Sequence, residues 1–220
     1  MFDQLVTNAF RQHELSDVLK ALSHHRGRYF LVGGAVRDGL LGEPANDLDI
    51  AVPNDDEFAH LLFSTISSGA QNRHGNWRFE LPSGQHVDLI QPQNFYKPFR
   101  TVLSMLAFFD TSVNAIGIDL GDPDHILDPI DGIDGLRRGQ LTLPHERWTT
   151  LNDFESVHLA LRTLRLLGRH PLTLSNPSLL RAQIPKFDLV EWSDLYRLNR
   201  ISRGQARDQL LSICDRPLAA

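Results

Sequence analysis

Apolar residues near the start of the chain fall at Phe2, Leu5, Val6, Phe10, Leu15, Val18 and Leu22, close to the spacing that lines one side of a helix. This predicts an amphipathic opening helix over residues 3–22. Tyr29-Phe30-Leu31-Val32 is a short apolar run stopped by Gly33-Gly34, and a helix-compatible stretch follows from Ala35 to Leu41. The unit reads strand, tight turn, helix. Glu43-Pro44-Ala45-Asn46 reads as a loop, and Asp47 to Val52 alternates polar and apolar residues up to a terminating Pro53, which predicts a second strand. Residues 55–67 have helical spacing. Trp77, Phe79 and Leu81, then Val87 and Leu89, alternate on either side of Ser83-Gly84, as two strands joined by a turn would.

Beyond Pro98 the pattern predicts a helix over 100–109, a strand over 113–120, and a glycine-punctuated turn with a short helix from Pro129 to Gly139. Asn152 to Gly168 is a strong helix, with Asn152 or Asp153 as its cap and Gly168 as its stop. The expected fold class is therefore α+β, a mixed sheet flanked by helices. The domain boundary is expected near residue 148, giving a first domain of 1–148 and a helical appendage of 149–220 broken by Pro171, Pro177 and Pro185.

Composition narrows the setting. With 220 residues, 41% hydrophobic and 22% charged, the chain has room for one medium domain and a small appendage. The single cysteine, Cys214, excludes an internal disulfide and a cysteine-based zinc cluster. Nothing resembles a secretion signal and no apolar run is long enough to span a membrane, so a cytoplasmic protein without membrane contact is expected. The net charge of −5 gives no general basic surface for long nucleic acid. Arginines concentrate in the last third, Arg162 and Arg165 among them, which is where RNA would bind.

Candidate chemistry begins at Gly33-Gly34, where absent side chains let backbone N–H groups approach phosphate oxygens. Arg37 adds a charged fork with Asp38 to brace it, although so short a glycine turn, taken alone, more often serves packing only. The spacing fits neither the dinucleotide fingerprint nor the P-loop. Asp47 and Asp49, two apart on a strand, project from one face while Leu48 and Ile50 enter the core. Paired hard oxygen ligands suit magnesium, with manganese as a substitute; taken alone, such a pair is more often a solvated strand face. Asp88, in His86-Val87-Asp88-Leu89-Ile90, alternates correctly to supply a third carboxylate, or is simply an exposed strand aspartate. No His-Glu-x-x-His or Gly-x-Ser-x-Gly signature offers a different chemistry.

Leu31-Val32-Gly33-Gly34-Ala35-Val36-Arg37-Asp38-Gly39-Leu40-Leu41-Gly42, followed by Asp47-Leu48-Asp49-Ile50-Ala51, resembles the head domain of class II polynucleotide nucleotidyltransferases, the CCA-adding enzymes and bacterial poly(A) polymerases. Further similarity follows in order. Asp110-Thr111-Ser112-Val113-Asn114-Ala115 resembles the family's Arg-Arg-Asp-Phe-Thr-x-Asn-Ala segment. Leu127-Asp128-Pro129 with Gly132, Leu136 and Gly139 resembles its next turn, and Leu161-Arg162-Thr163-Leu164-Arg165 its neck helix. The resemblance implies a head domain followed by a short helical neck, with Asp47 and Asp49 holding magnesium or manganese. It implies that Gly33, Gly34 and Arg37 cradle the triphosphate, that Asp110 contacts the ribose, that Asn114 is a further nucleotide-binding residue, and that Arg162 and Arg165 complete the nucleotide pocket. The activity implied is transfer of a nucleoside monophosphate to an acceptor hydroxyl, an RNA 3′ end in the first place and another hydroxyl in the second.

Departures matter too. Phe108 and Phe109 stand where the family carries two arginines, and Ser156 and Val157 where the neck begins with an acid and proline. The chain stops soon after the neck and has no Glu-Asp-x-x-Arg pattern, so templated CCA synthesis by this chain alone is not expected. Self-association or a partner chain would then supply an RNA-binding body. The competing expectation is a noncatalytic nucleotide-binding or regulatory module that keeps the head fold.

Overall fold

In a computed structural model that describes residues 1–53, 57–65, 68–72 and 74–215, the chain divides into two compact units. The first comprises Met1–Ala107 and Val113–Asp131; the second comprises Phe108–Ser112 and Gly132–Ala220.

The first unit is built on seven strands: β1 (Phe30–Val32), β2 (Leu48–Ala51), β3 (Gly69–Gln71), β4 (Trp77–Glu80), β5 (His86–Ile90), β6 (Gly117–Asp119) and β7 (Ile126–Leu127). They lie in the order β3-β4-β5-β2-β1-β6-β7. β2 and β5 are parallel; every other neighbouring pair is antiparallel. Alternation along β2 and β5 fixes their faces, because Leu48, Ile50, Val87 and Leu89 are buried while Asp49 and Asp88 are half-buried on the other side. The mixed sheet expected from the sequence is present, and β3 and β7 are additions to it.

Helices α1 (Phe2–Gln12), α2 (Ser16–Leu22), α3 (Gly34–Leu40), α4 (Glu57–Thr65) and α5 (Val102–Leu106) belong to the same unit. The expected single opening helix is two. Glu14 adopts φ +60°, its N–H reaches the Arg11 carbonyl at 3.1 Å, and the Leu15 N–H reaches the Phe10 carbonyl at 2.8 Å. That is a Schellman ending with buried Phe10 and Leu15 at its two apolar positions, formed without the usual glycine. The helix expected over 55–67 is observed over 57–65; residues 55, 56, 66 and 67 lie outside those described. The helix expected over 100–109 is only α5, capped by Thr101, whose hydroxyl accepts from the Ser104 N–H at 3.2 Å. Phe108 and Phe109 leave it to become buried residues of the second unit. The strand expected over 113–120 is confined to β6.

The second unit contains α6 (Gly132–Arg137), α7 (His145–Thr149), α8 (Asp153–Arg169), α9 (Pro177–Arg181), α10 (Trp192–Asn199) and α11 (Arg203–Cys214). A parallel pair, β8 (Gln140–Leu141) and β9 (Thr173–Leu174), accompanies them. Trp148, Leu161, Phe187, Leu195 and Leu210 are in its core. The α8 cap is Asn152: its side chain accepts from the Glu155 N–H at 2.9 Å, and Glu155 reaches back to the Asn152 N–H at 3.4 Å. Gly168 is not the stop. It lies inside α8, which ends when His170 turns extended (ψ 146°), the conformation imposed on a residue that precedes proline. No described helix is long and apolar enough to cross a membrane.

Candidate active site

β1 ends at Val32, the partner of Asp49 on β2, so the chain makes its turn directly beside that carboxylate. Gly33 takes φ +72° and ψ −142°, and a Cβ built there would stand 2.7 Å from Asp49 Oδ2. Both the backbone conformation and the space therefore demand glycine. Gly34 has a related duty: a Cβ there would come within 3.3 Å of Arg37 Nη2, which folds back over the start of α3.

Arg37 is held on two sides. Its Nε and Nη2 donate to Asp38 Oδ1 at 2.8 and 2.7 Å, and its Nη1 donates to Asn114 Oδ1 at 2.6 Å. Asp38 and Asn114 are themselves buried, so the guanidinium is fixed in place. The bracing of Arg37 by Asp38 expected from adjacent charges is present, and Asn114 joins the same cluster.

Asp47, Asp49 and Asp88 are gathered on one face by the parallel pairing, in which Asp49 is the register partner of Asp88. Asp47, just ahead of β2, accepts from the His86 N–H at 2.8 Å and faces His86 Nδ1 at 3.4 Å; about half of its side chain is exposed. Asp88 is clasped by a residue that the sequence reading missed. Arg78 on β4 donates Nε and Nη2 to the two Asp88 oxygens at 2.6 and 2.5 Å. The hydrogen bond to Asp88 raises the guanidinium further above its ordinary pKa, with the fields of Asp88, Asp47 and Asp49 adding to it against the cost of burial. A recoverable signal exists. Once the turn pairs Leu81 with Gln85, counting outward along the hairpin brings Arg78 opposite Asp88.

Asp110, Arg162 and Arg165 belong to the second unit. Arg162 Nη2 lies 3.2 Å from Asp110 Oδ2, and the Asp110 carbonyl accepts from Trp148 Nε1 at 2.8 Å. Burial lowers the Arg165 pKa, and the Arg162 charge lowers it further. His158, one turn before Arg162, is also lowered, first by burial and then by both arginines, with Asp110 opposing. Phe108 lies under the guanidinium of buried Arg147, 5.1 Å from ring centre to Cζ.

Residues 29–82 match the poly A polymerase head domain family. That stretch carries the pattern of a poly A polymerase head domain. Among curated relatives of that head, the CC-adding tRNA nucleotidyltransferase of Deinococcus radiodurans is 33% identical over 170 residues, covering 70% of this chain and 44% of the relative. The corresponding protein of Geobacter sulfurreducens is 30% identical over 130 residues, covering 56% of this chain and 29% of the relative. The chain thus spans less than half the length of these relatives. The solved CCA-adding enzyme of Thermotoga maritima, in complex with tRNA, shares the fold with a TM-score of 0.71 at 19% identity, covering 96% of this chain and 53% of that one. The mixed α+β head expected from the sequence is therefore the fold observed.

The head's donor set suits a hard divalent cation: Asp47 and Asp49 offer carboxylate oxygens on one face, and glycine backbone rather than a side chain borders Asp49. Magnesium and manganese share this preference.

Proposed function

We propose that the protein is a metal-dependent nucleotidyltransferase that moves a nucleoside monophosphate from a nucleoside triphosphate to an acceptor hydroxyl, with an RNA 3′ end as the acceptor. The observation carrying this reading is the approach of the Gly33 backbone to Asp49, on the strand that also presents Asp47. Magnesium or manganese would be held by Asp47 and Asp49 and would supply charge neutralisation at the phosphates. Gly33 and Gly34 leave room for phosphate oxygens, and Arg37, immobilised by Asp38 and Asn114, is the head's fixed cation for them. No side-chain nucleophile is required, because orientation and charge placement lower the barrier. His86 orients Asp47 through its N–H, and Asp88 is the third carboxylate of the face. The ribose role of Asp110 and the nucleotide roles of Arg162 and Arg165 are part of the proposal, as is the functional division into a head of 1–148 and a neck-like appendage of 149–220. The tRNA named for the relatives supports an RNA acceptor, and a cytoplasmic location accords with it.

One observation favours the noncatalytic alternative: Phe108 and Phe109 are buried where the family's arginines are expected. The test is incubation with each α-labelled nucleoside triphosphate, magnesium or manganese, and RNA lacking its 3′ terminal CCA or a cell extract, with Asp49→Ala alongside. Label on RNA from the wild type alone is the expected result. No transfer under any condition, from a protein that still binds nucleotide, would establish the binding module instead.

A further inference from the structure

Arg78, Asp88 and Asp49 stand side by side across three adjacent strands, because Arg78 is the partner of Asp88 and Asp88 the partner of Asp49. The Arg78 fork takes both oxygens of Asp88, at 2.6 and 2.5 Å, and so occupies the edge between them through which the carboxylate would chelate a metal ion. A cation at Asp47 and Asp49 would therefore compete with the guanidinium for Asp88. The two ends of the pair differ in mobility: the Arg78 side chain is 56% exposed and that of Asp88 19% exposed. Arg78 can swing into solvent without becoming a buried unpaired charge, whereas Asp88 stays at the sheet.

We propose that Arg78 is a resident competitor for the metal, withholding Asp88 from a cation at Asp47 and Asp49 in the nucleotide-free head. Metal then binds weakly by itself and firmly when triphosphate oxygens join the ligand set, which confines loading to the substrate complex. The second step rests on the nucleotidyltransferase reading; the competition does not.

The test is a manganese titration of the full chain without nucleotide, following free Mn²⁺ by electron paramagnetic resonance. Wild type, Arg78→Ala, Asp88→Asn and the double variant are compared, with Arg78→Gln as a closer replacement and thermal melts to confirm folding. Removing Arg78 is expected to tighten manganese binding about fivefold, the order set by an exposed ion pair. With Asp88→Asn already present, the gain should shrink below about twofold, as the coupling of two contacting groups requires. No gain in either Arg78 variant overturns the proposal. An equal gain in both backgrounds overturns it as well, since Arg78 would then act only by long-range repulsion. A gain in binding without any label transfer supports the competition while removing the enzymatic reading; transfer without a gain does the reverse.

Discussion

Replacing Gly33 with alanine tests the junction between fold and site most directly. At φ +72° and ψ −142° an L-residue is strained, and such a conformation costs about 2 kcal/mol. The new methyl would also stand 2.7 Å from Asp49 Oδ2, inside the 3.0 Å that real Cβ atoms essentially never breach, so the carboxylate must retreat by several tenths of an ångström. Strain alone should lower the melting midpoint by roughly 4–8 °C for a chain of this size. Displacement of Asp49 should weaken manganese binding by about tenfold, as misaligned ligands commonly do. Thermal denaturation and the manganese titration read the two effects separately. Gly168→Ala is the control, because that glycine is inside α8 with nothing within 4 Å of the place its new methyl would take. It should gain about 0.5–1 kcal/mol. If Gly33→Ala keeps both the wild-type midpoint and the wild-type affinity, the backbone argument for this site is wrong.

Asn152→Ala removes the reciprocal α8 cap and should cost about 1 kcal/mol in urea denaturation; an unchanged midpoint would mean that tertiary packing alone holds the helix start. Burial depresses both His13 and His158 in the folded protein, with Asp47 opposing at His13, so the unfolded chain binds more protons as the pH falls through about 6.5. Their contribution is therefore complete above that pH and declines on acidification towards the folded pKa values. A His13→Gln, His158→Gln double variant should show a flatter stability profile between neutral and mildly acidic pH, and an unaltered slope would remove both histidines from the account.

The glycine turn and the β2 alternation are legible in the sequence because local rules suffice there: Gly33 and Gly34 punctuate an apolar run, and Leu48 and Ile50 leave the acids on the other face. The break in the opening helix is hidden because Glu14, with an ordinary side chain, fills the left-handed position where a glycine would have signalled it. At α8 the misdirection runs the other way, since Gly168 has the look of a stop while Pro171, acting on His170, sets the end. Asp88 is visible as a carboxylate, but its partnership with Arg78 depends on hairpin register, which alternation within single strands does not specify. Against the family pattern, Phe108 and Phe109 register only as missing charge; their place in the core of the second unit is a long-range fact that no local pattern encodes.

The parallel pairing of β2 with β5 also bears on how the molecule assembles. Arg78 and Asp88 are ten residues apart and meet within a hairpin, whereas β2 reaches β5 only after a much longer stretch of chain has closed. Short loops close at lower entropic cost than long ones, by about 0.6 kcal/mol for each doubling of length, which favours an order in which the guanidinium meets Asp88 before Asp49 is brought opposite it. In that order two like charges do not dock bare, because closure of the sheet brings Asp49 to a carboxylate already carrying its counter-ion.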